Sequence, residues 1–265
     1  MNIRGHIAVL ALLTLPSFAA AADRSFPVTI RDFRADGQDF GVLDWSGSPA
    51  AYFANNQNNK IEKGIVGPIG APLGVDGHPV LYGQRDAGFY NTVTDATRFG
   101  RWFTDVPGVN QTISGVLDFN KNAYGRLAIN QAAFHPIDAV GLGNESYLHN
   151  YYFTMEMHTT FTYHPGQDFY ATADDDLWLY IDKKLALDIG GVHGARWGGL
   201  ELNTLGLIEG QTYAADLFYA DRATYDTTLI IETSMFNVPE PASLLSLGVG
   251  LMALTLRRQR VPQPA

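Results

Sequence analysis

Along residues 151–163 the odd positions read Tyr, Phe, Met, Met, Thr, Phe, Tyr and the even positions read Tyr, Thr, Glu, His, Thr, Thr. A period of two sends successive side chains to opposite faces, so this stretch predicts a long half-buried strand. Shorter runs of the same kind predict strands at 26–33, 113–119, 126–129, 169–173, 177–182, 185–189, 213–219 and 227–236. Many short strands with glycine-rich breaks predict an all-β fold, an antiparallel β-sandwich with long loops. Ala96, Phe99 and Phe103 fall at helical spacing and predict one short helix around 94–103. Residues 46–80, with Asn55, Asn56, Asn58, Asn59 and many Gly and Pro, read as a long irregular region, and no internal repeat is visible.

The two ends follow a different pattern. Residues 1–22 carry Arg4, an apolar run from Ile7 to Leu15, a break at Pro16 and small residues ending Ala20-Ala21-Ala22, the order of parts of a secretory signal cleaved after Ala22. Residues 238–265 carry Pro239-Glu240-Pro241, an apolar stretch from Ala242 to Leu256, and then Arg257, Arg258 and Arg260. Fifteen residues rising ~1.5 Å each make about 22 Å of helix, short of the ~30 Å hydrocarbon core of a bilayer. That length argues against a permanent anchor, although the adjoining arginines can snorkel. The tail resembles the PEP-CTERM sorting signal of Gram-negative bacteria that make exopolysaccharide. The resemblance implies transient inner-membrane insertion with the arginines on the cytoplasmic side, processing near Pro239, Glu240 and Pro241 by an exosortase-type enzyme, and delivery to the cell surface or extracellular matrix. The domain would then occupy residues 23–237.

Removing Arg4 from one end, and Glu240 with Arg257, Arg258 and Arg260 from the other, takes the formal net charge from −9 to −12. Such a domain is unsuited to binding nucleic acid through phosphates and better suited to divalent cations or neutral ligands. The chain has no cysteine, which excludes disulfides, thiolate metal sites and a thiol nucleophile. Neither Gly-x-Ser-x-Gly nor a phosphate-cradling Gly-x-x-x-x-Gly-Lys occurs. Acidic content leaves a glycosidase-type carboxylate pair open, but three adjacent aspartates look more like a cation site than an acid/base pair. No catalytic residue is assigned.

Those three aspartates, Asp174, Asp175 and Asp176, stand just before the apolar run that starts at Leu177. Such a cluster serves either as a solvated turn capping backbone amides or as a cation site. Asp188 is either a further ligand, if the strands at 177–182 and 185–189 form a hairpin, or a surface carboxylate before a glycine turn. Gly190 and Gly191 permit close backbone approach to a ligand. His193 could donate to a saccharide hydroxyl or ligate metal, and Trp197 could offer a ring face to a sugar; a structural loop and a core-edge tryptophan are the alternatives. His149, His158 and His164 show no metal-ligand spacing and are read as ordinary surface or strand residues.

The stretch from Phe169 to Gly191 resembles the lectin-like β-sandwich of anthrax protective antigen and of yeast flocculins. The wider pattern resembles the fibro-slime domain. It is carried by Arg31-Asp32-Phe33, Asp76-Gly77-His78-Pro79-Val80, Trp102-Phe103, Phe134-His135-Pro136-Ile137-Asp138, Gly141-Leu142-Gly143, Asn150-Tyr151-Tyr152-Phe153-Thr154, the three aspartates, Gly190-Gly191-Val192-His193 and Ala220-Asp221-Arg222. The match runs from about residue 26 to 236. It departs from the family at Gln38-Asp39-Phe40, and at Asp182-Lys183-Lys184, where relatives often place Asn-Gly. In the calcium-dependent lectins of that wider family, neighbouring aspartates joined by a cis peptide grip Ca²⁺, which also binds sugar hydroxyls. That pair falls on Asp174 and Asp175, with Asp176 next. The resemblance implies a secreted, surface-sorted carbohydrate-binding or adhesion protein whose partner is an exopolysaccharide or cell-surface glycan. A structural matrix protein without sugar recognition and a polysaccharide-processing enzyme are the alternatives.

Overall fold

The computed structural model describes residues 23–36, 38–40, 64–82, 96–224 and 227–236. The signal segment, most of the region at 46–80 and the C-terminal tail lie outside the described residues. Ten strands follow in chain order: β1 (Arg24–Phe33), β2 (Asn110–Lys121), β3 (Leu127–Gln131), β4 (Phe153–Thr162), β5 (Asp168–Asp174), β6 (Asp176–Ile181), β7 (Lys184–Ile189), β8 (Arg196–Glu201), β9 (Thr212–Asp221) and β10 (Thr228–Thr233). All nine strands expected from alternation are present, and the architecture is the antiparallel β-sandwich that the alternation predicts.

Pairing runs β7-β6-β9-β4-β1-β2-β3-β10-β5-β8. This ribbon doubles over at β2, which pairs with β1 from Asn110 to Phe119 and then hands its last residues, Asn120 and Lys121, to Ala128 and Leu127 of β3. Strands before that hinge form one layer and strands after it form the other. Inward-facing Phe26, Met155, Met157, Leu177, Leu179, Ile181 and Leu217 of the first layer share one buried cluster with Ala171, Ala173, Leu229 and Ile231 of the second. Strand β8 has no apolar alternation to announce it, because two of its residues are glycines. A Cβ on Gly198 would come within 2.8 Å of the Ile189 side chain, and one on Gly199 within 2.6 Å of the Tyr170 ring.

A second apolar cluster covers the outer face of the first layer. Phe40, Ile65, Val66, Phe99, Trp102 and Phe103, from the loops before β2, pack on Trp178, Tyr180 and Phe218. Strand β6 is therefore buried on both faces. The same cover explains β4, whose even positions Thr154 and Glu156 are buried whereas His158, Thr160 and Thr162 are not. The expected helix shortens to α1 (Ala96–Phe99): Phe99 and Phe103 are buried, but Ala96 is exposed, and the chain leaves the helix at Gly100. At the β6–β7 turn, Asp182 and Lys183 take φ of 51° and 62°. This is the left-handed pair that Asn-Gly adopts more cheaply.

At the edge of this second cluster, Glu156 accepts from Arg31 Nη1 at 2.7 Å and lies 3.3 Å from His158 Nε2, while His158 Nδ1 lies 2.8 Å from Asp216. Burial alone would raise Glu156; hydrogen bonds from His158, His78 and Arg31 hold it well below the usual carboxylate range. The hydrogen bonds to Asp216 and Glu156 push the His158 imidazole up to about 9.

Two outcomes follow from this packing. Leu179 is fully buried between the layers, so Leu179→Ala is expected to cost about 2–5 kcal/mol in chemical denaturation; an unchanged midpoint would remove β6 from the core. His158 is raised above the usual value of roughly 6.5, so its stabilising contribution is complete below that pH and is lost as pH rises through about 9. Thermal unfolding of the wild type and of His158→Gln should converge over that window, and a constant gap would contradict the ion-pair assignment.

Candidate functional site

The three aspartates mark the place where the chain crosses from one layer to the other. Asp174 ends β5, which pairs with β10 in the second layer, and Asp176 begins β6, which pairs with β9 in the first; Asp175 alone lies between them. The Asp174–Asp175 peptide is cis, the geometry the resemblance implies for this pair. Around this corner gather the end of β7 with Gly190–His193, the end of β9 with Asp221 and Arg222, and the start of β10.

Each aspartate is held differently. Asp175 accepts from the backbone amides of His193 on Oδ1 and of Arg222 on Oδ2, both at 2.8 Å. Asp174 receives the Tyr219 hydroxyl on its backbone carbonyl and is the most exposed of the three, at 9 %. Asp176 Oδ2 accepts from Arg222 Nε at 2.6 Å, and Oδ1 accepts from Arg222 Nη2 at 3.1 Å and from the Gly191 amide. Both side chains of that ion pair are wholly buried. Of the three aspartates expected at an ion, Asp176 is thus the one engaged by the Arg222 side chain.

Asp188 does lie opposite Trp178 in a β6–β7 hairpin, as the hairpin reading requires. Its oxygens, however, accept from Trp178 Nε1, the Gly190 amide and the Gly64 amide at 3.0, 2.9 and 2.8 Å. It pins the 64–82 loop and the glycine turn to the sheet. Gly190 and Gly191 work through their amides, and Gly191 adopts φ 117°, a value open to glycine and strained for other residues. His193 is buried with Nδ1 at 2.9 Å from the Gly194 carbonyl, and burial pushes its imidazole down to about 4, so the ring is neutral. Trp197 is 69 % exposed and stacks on Tyr170 with ring centroids 6.0 Å apart. It lies on the outer face of β8 and is no core-edge residue.

Two residues of the corner were not singled out on sequence grounds, Asp221 and Arg222. Their signal was the Ala220-Asp221-Arg222 motif, but nothing in its spacing says that β9 lies against β6 and sets Ala220 opposite Asp176. Asp221 is buried; burial first, and then Asp175, push its carboxyl well above the usual range. Burial also pushes Asp175 up, to about 7. Tyr219, at the centre, is raised by burial and by Asp221, Asp175, Asp174 and Asp176 together. The corner is thus a buried acidic concentration in which Arg222 pairs with Asp176 and also holds Asp175 down against burial.

A hard cation fits that donor set. A carboxylate oxygen has two lone pairs, so both oxygens of Asp175 keep one after accepting a backbone amide, and Asp174 reaches the solvent edge.

Residues 107–240 match the PA14 domain, and residues 237–260 match the PEP-CTERM protein-sorting motif. Among curated proteins of Dictyostelium discoideum, the chain is similar to protein psiQ (35% identity over 193 residues, 66% of this chain and 19% of that protein). It is also similar to psiD (38% over 188 residues, 67% and 37%) and psiJ (32% over 244 residues, 83% and 32%). It spans roughly a fifth to just over a third of the length of these relatives. Solved structures with partial likeness include the PA14 sugar-binding domain from RTX adhesin (15% identity, TM-score 0.25, 32% of this chain and 47% of that one). Another is the epithelial adhesin 9 A domain from Candida glabrata in complex with Galb1-4GlcNAc (15%, TM-score 0.27, 44% and 63%). Superpositions this partial carry no argument about ligands. The aspartate crossover and the Arg222 that holds it both fall inside the matched span, and the chain belongs to the PA14 domain family.

Proposed function

We propose that this protein is a secreted, surface-sorted carbohydrate-binding or adhesion protein of the exopolysaccharide matrix, with Ca²⁺ held at Asp174 and Asp175. The observation that carries the reading is Asp175, buried at the crossover with each carboxylate oxygen accepting one backbone amide, beside Asp174 and the buried Asp221. A divalent cation bound there would offset the negative charge gathered in the corner. Ca²⁺ takes six to eight oxygens, so backbone carbonyls, water and ligand hydroxyls would complete its shell and give a sugar its point of attachment. The exposed Trp197–Tyr170 pair supplies an apolar surface of the kind a pyranose ring packs against.

Metal bound only to the folded state stabilises it by RT ln(1 + [L]/Kd), about 2.7 kcal/mol at a hundredfold excess over Kd. Chelation should therefore lower the melting temperature of the wild type. Asp175→Asn should abolish most of that response while the domain stays folded, and a glycan array should lose signal in parallel with chelation and with the variant. A calcium-indifferent Asp175→Asn protein that is more stable than the wild type and still binds its glycan would overturn the metal assignment. A calcium response without glycan binding would leave a structural matrix protein instead.

Sorting is tested separately. Replacing Pro239, Glu240 and Pro241 by alanine should leave an unprocessed precursor at the inner membrane, read by fractionation and intact mass. Mature mass and normal surface delivery in that variant would show that the tail is not the sorting element.

A further inference from the structure

A second polar cluster lies apart from the acidic corner, in the loop between β3 and β4. His135, Asp138 and His149 offer ligand atoms that all lie within 4.8 Å of one another. Among the described residues this is the group of three or more such side chains that gathers so closely. We propose that it binds a divalent transition ion of the zinc class through two imidazoles and a carboxylate.

Donor chemistry separates this site from the aspartate corner. Nitrogen donors suit Zn²⁺, Cu²⁺ or Ni²⁺, whereas an all-oxygen set suits Ca²⁺. Two histidines and one carboxylate form a zinc ligand set that leaves a fourth position open to water or a ligand oxygen. The carboxylate is already oriented: Asp138 Oδ1 accepts the Asn150 amide at 2.8 Å, and Oδ2 lies 2.7 Å from His149 Nδ1. The loop itself is tied to the sheet. Buried Asp32 of β1 accepts from the Leu142 amide at 2.6 Å and from Asn150 Nδ2 at 3.0 Å, and Asn150 Nδ2 also donates to the Val140 carbonyl at 3.2 Å. Such outer contacts hold the carboxylate and its loop in place before any ion arrives.

The imidazoles of His135 and His149 stack within 2° of parallel with ring centroids 3.6 Å apart, and Tyr151 lies edge-on to both. An ion about 2.1 Å from a nitrogen of each ring cannot lie in both ring planes while they remain parallel. Binding therefore requires one ring to splay, and His149, 30 % exposed at its side chain, has solvent to turn into. The loop also borders the acidic corner, since the Phe134 amide donates to the Thr227 carbonyl at 2.8 Å. A bound ion would clasp two parts of one loop beside the calcium corner without sharing its ligands.

The test is Zn²⁺ titrated into untagged full-length protein held in excess Ca²⁺, followed by calorimetry and by NMR of the histidine rings. One equivalent should shift the ring resonances of His135 and His149 and leave those of His158 and His164 in place. His135→Gln and His149→Gln should each weaken zinc binding by about tenfold or more, while Asp175→Asn keeps wild-type zinc affinity. The NMR readout needs no variant and stands even if a substituted loop fails to fold. Absence of stoichiometric binding, or ring shifts confined to other histidines, overturns the proposal. Equal loss of zinc affinity in Asp175→Asn also overturns it, by moving the ion to the acidic corner.

Discussion

The buried ion pair between Asp176 and Arg222 is the constraint on which the corner of this sandwich depends. Both side chains are fully removed from water, and neither tolerates that without the other. Asp176 opens β6 and Arg222 follows the last residue of β9, so the pair can form only if those strands lie side by side in the observed register, with Asp176 opposite Ala220. A slip of one residue would leave a buried charge without its partner, a loss of about 3–5 kcal/mol. Replacing such a pair with apolar side chains is often neutral, so its value lies in specifying one arrangement rather than in adding stability. Arg222 pairs with Asp176 through its side chain and donates its backbone amide to Asp175 at the crossover.

Two-sided burial is the second organising feature. Strand β6 sends Leu177, Leu179 and Ile181 into the space between the layers, and Trp178 and Tyr180 into the cluster beneath the preceding loops. Those loops are held by polar contacts that apolar packing alone would not choose: Trp102 Nε1 donates to the Asp39 carbonyl, Thr154 donates to the Trp102 carbonyl, and the Gly64 amide donates to Asp188. The first layer is in this way covered on its outer face. The second layer keeps an outer face on which Tyr170 and the exposed Trp197 stack, with Arg126 over the Tyr170 ring at 5.1 Å.

The acidic corner and the histidine cluster sit at one end of the sandwich and obey opposite coordination preferences. The corner offers carboxylate oxygens, donors of the kind a hard cation takes, whereas the loop offers two imidazoles and an oriented carboxylate, donors of the kind a borderline ion takes. Asp32 lies on β1 beside β4 and ties down the loop that carries the histidines.

Period-two alternation, visible in residues 151–163 and its shorter counterparts, was enough to determine nine strands and the antiparallel sandwich, because it reports directly which face of each strand avoids water. Strand β8 escaped it, since Gly198 and Gly199 have no side chain to register a face and are required by close neighbours instead. The Asp174–Asp175 pair and its cis peptide were also legible, through the resemblance that its flanking strands carry. What sequence could not assign was the fate of each carboxylate. Asp176 and Asp188 look the same as Asp175 along the chain, yet one is neutralised by Arg222 and another is spent on amides from Gly64 and Gly190. His135 and His149 likewise lack any helical or strand spacing that would announce a shared ligand. A charge or a donor acquires its role from what faces it, and those facing groups come from strands and loops far apart in the chain, so only the tertiary structure decides them.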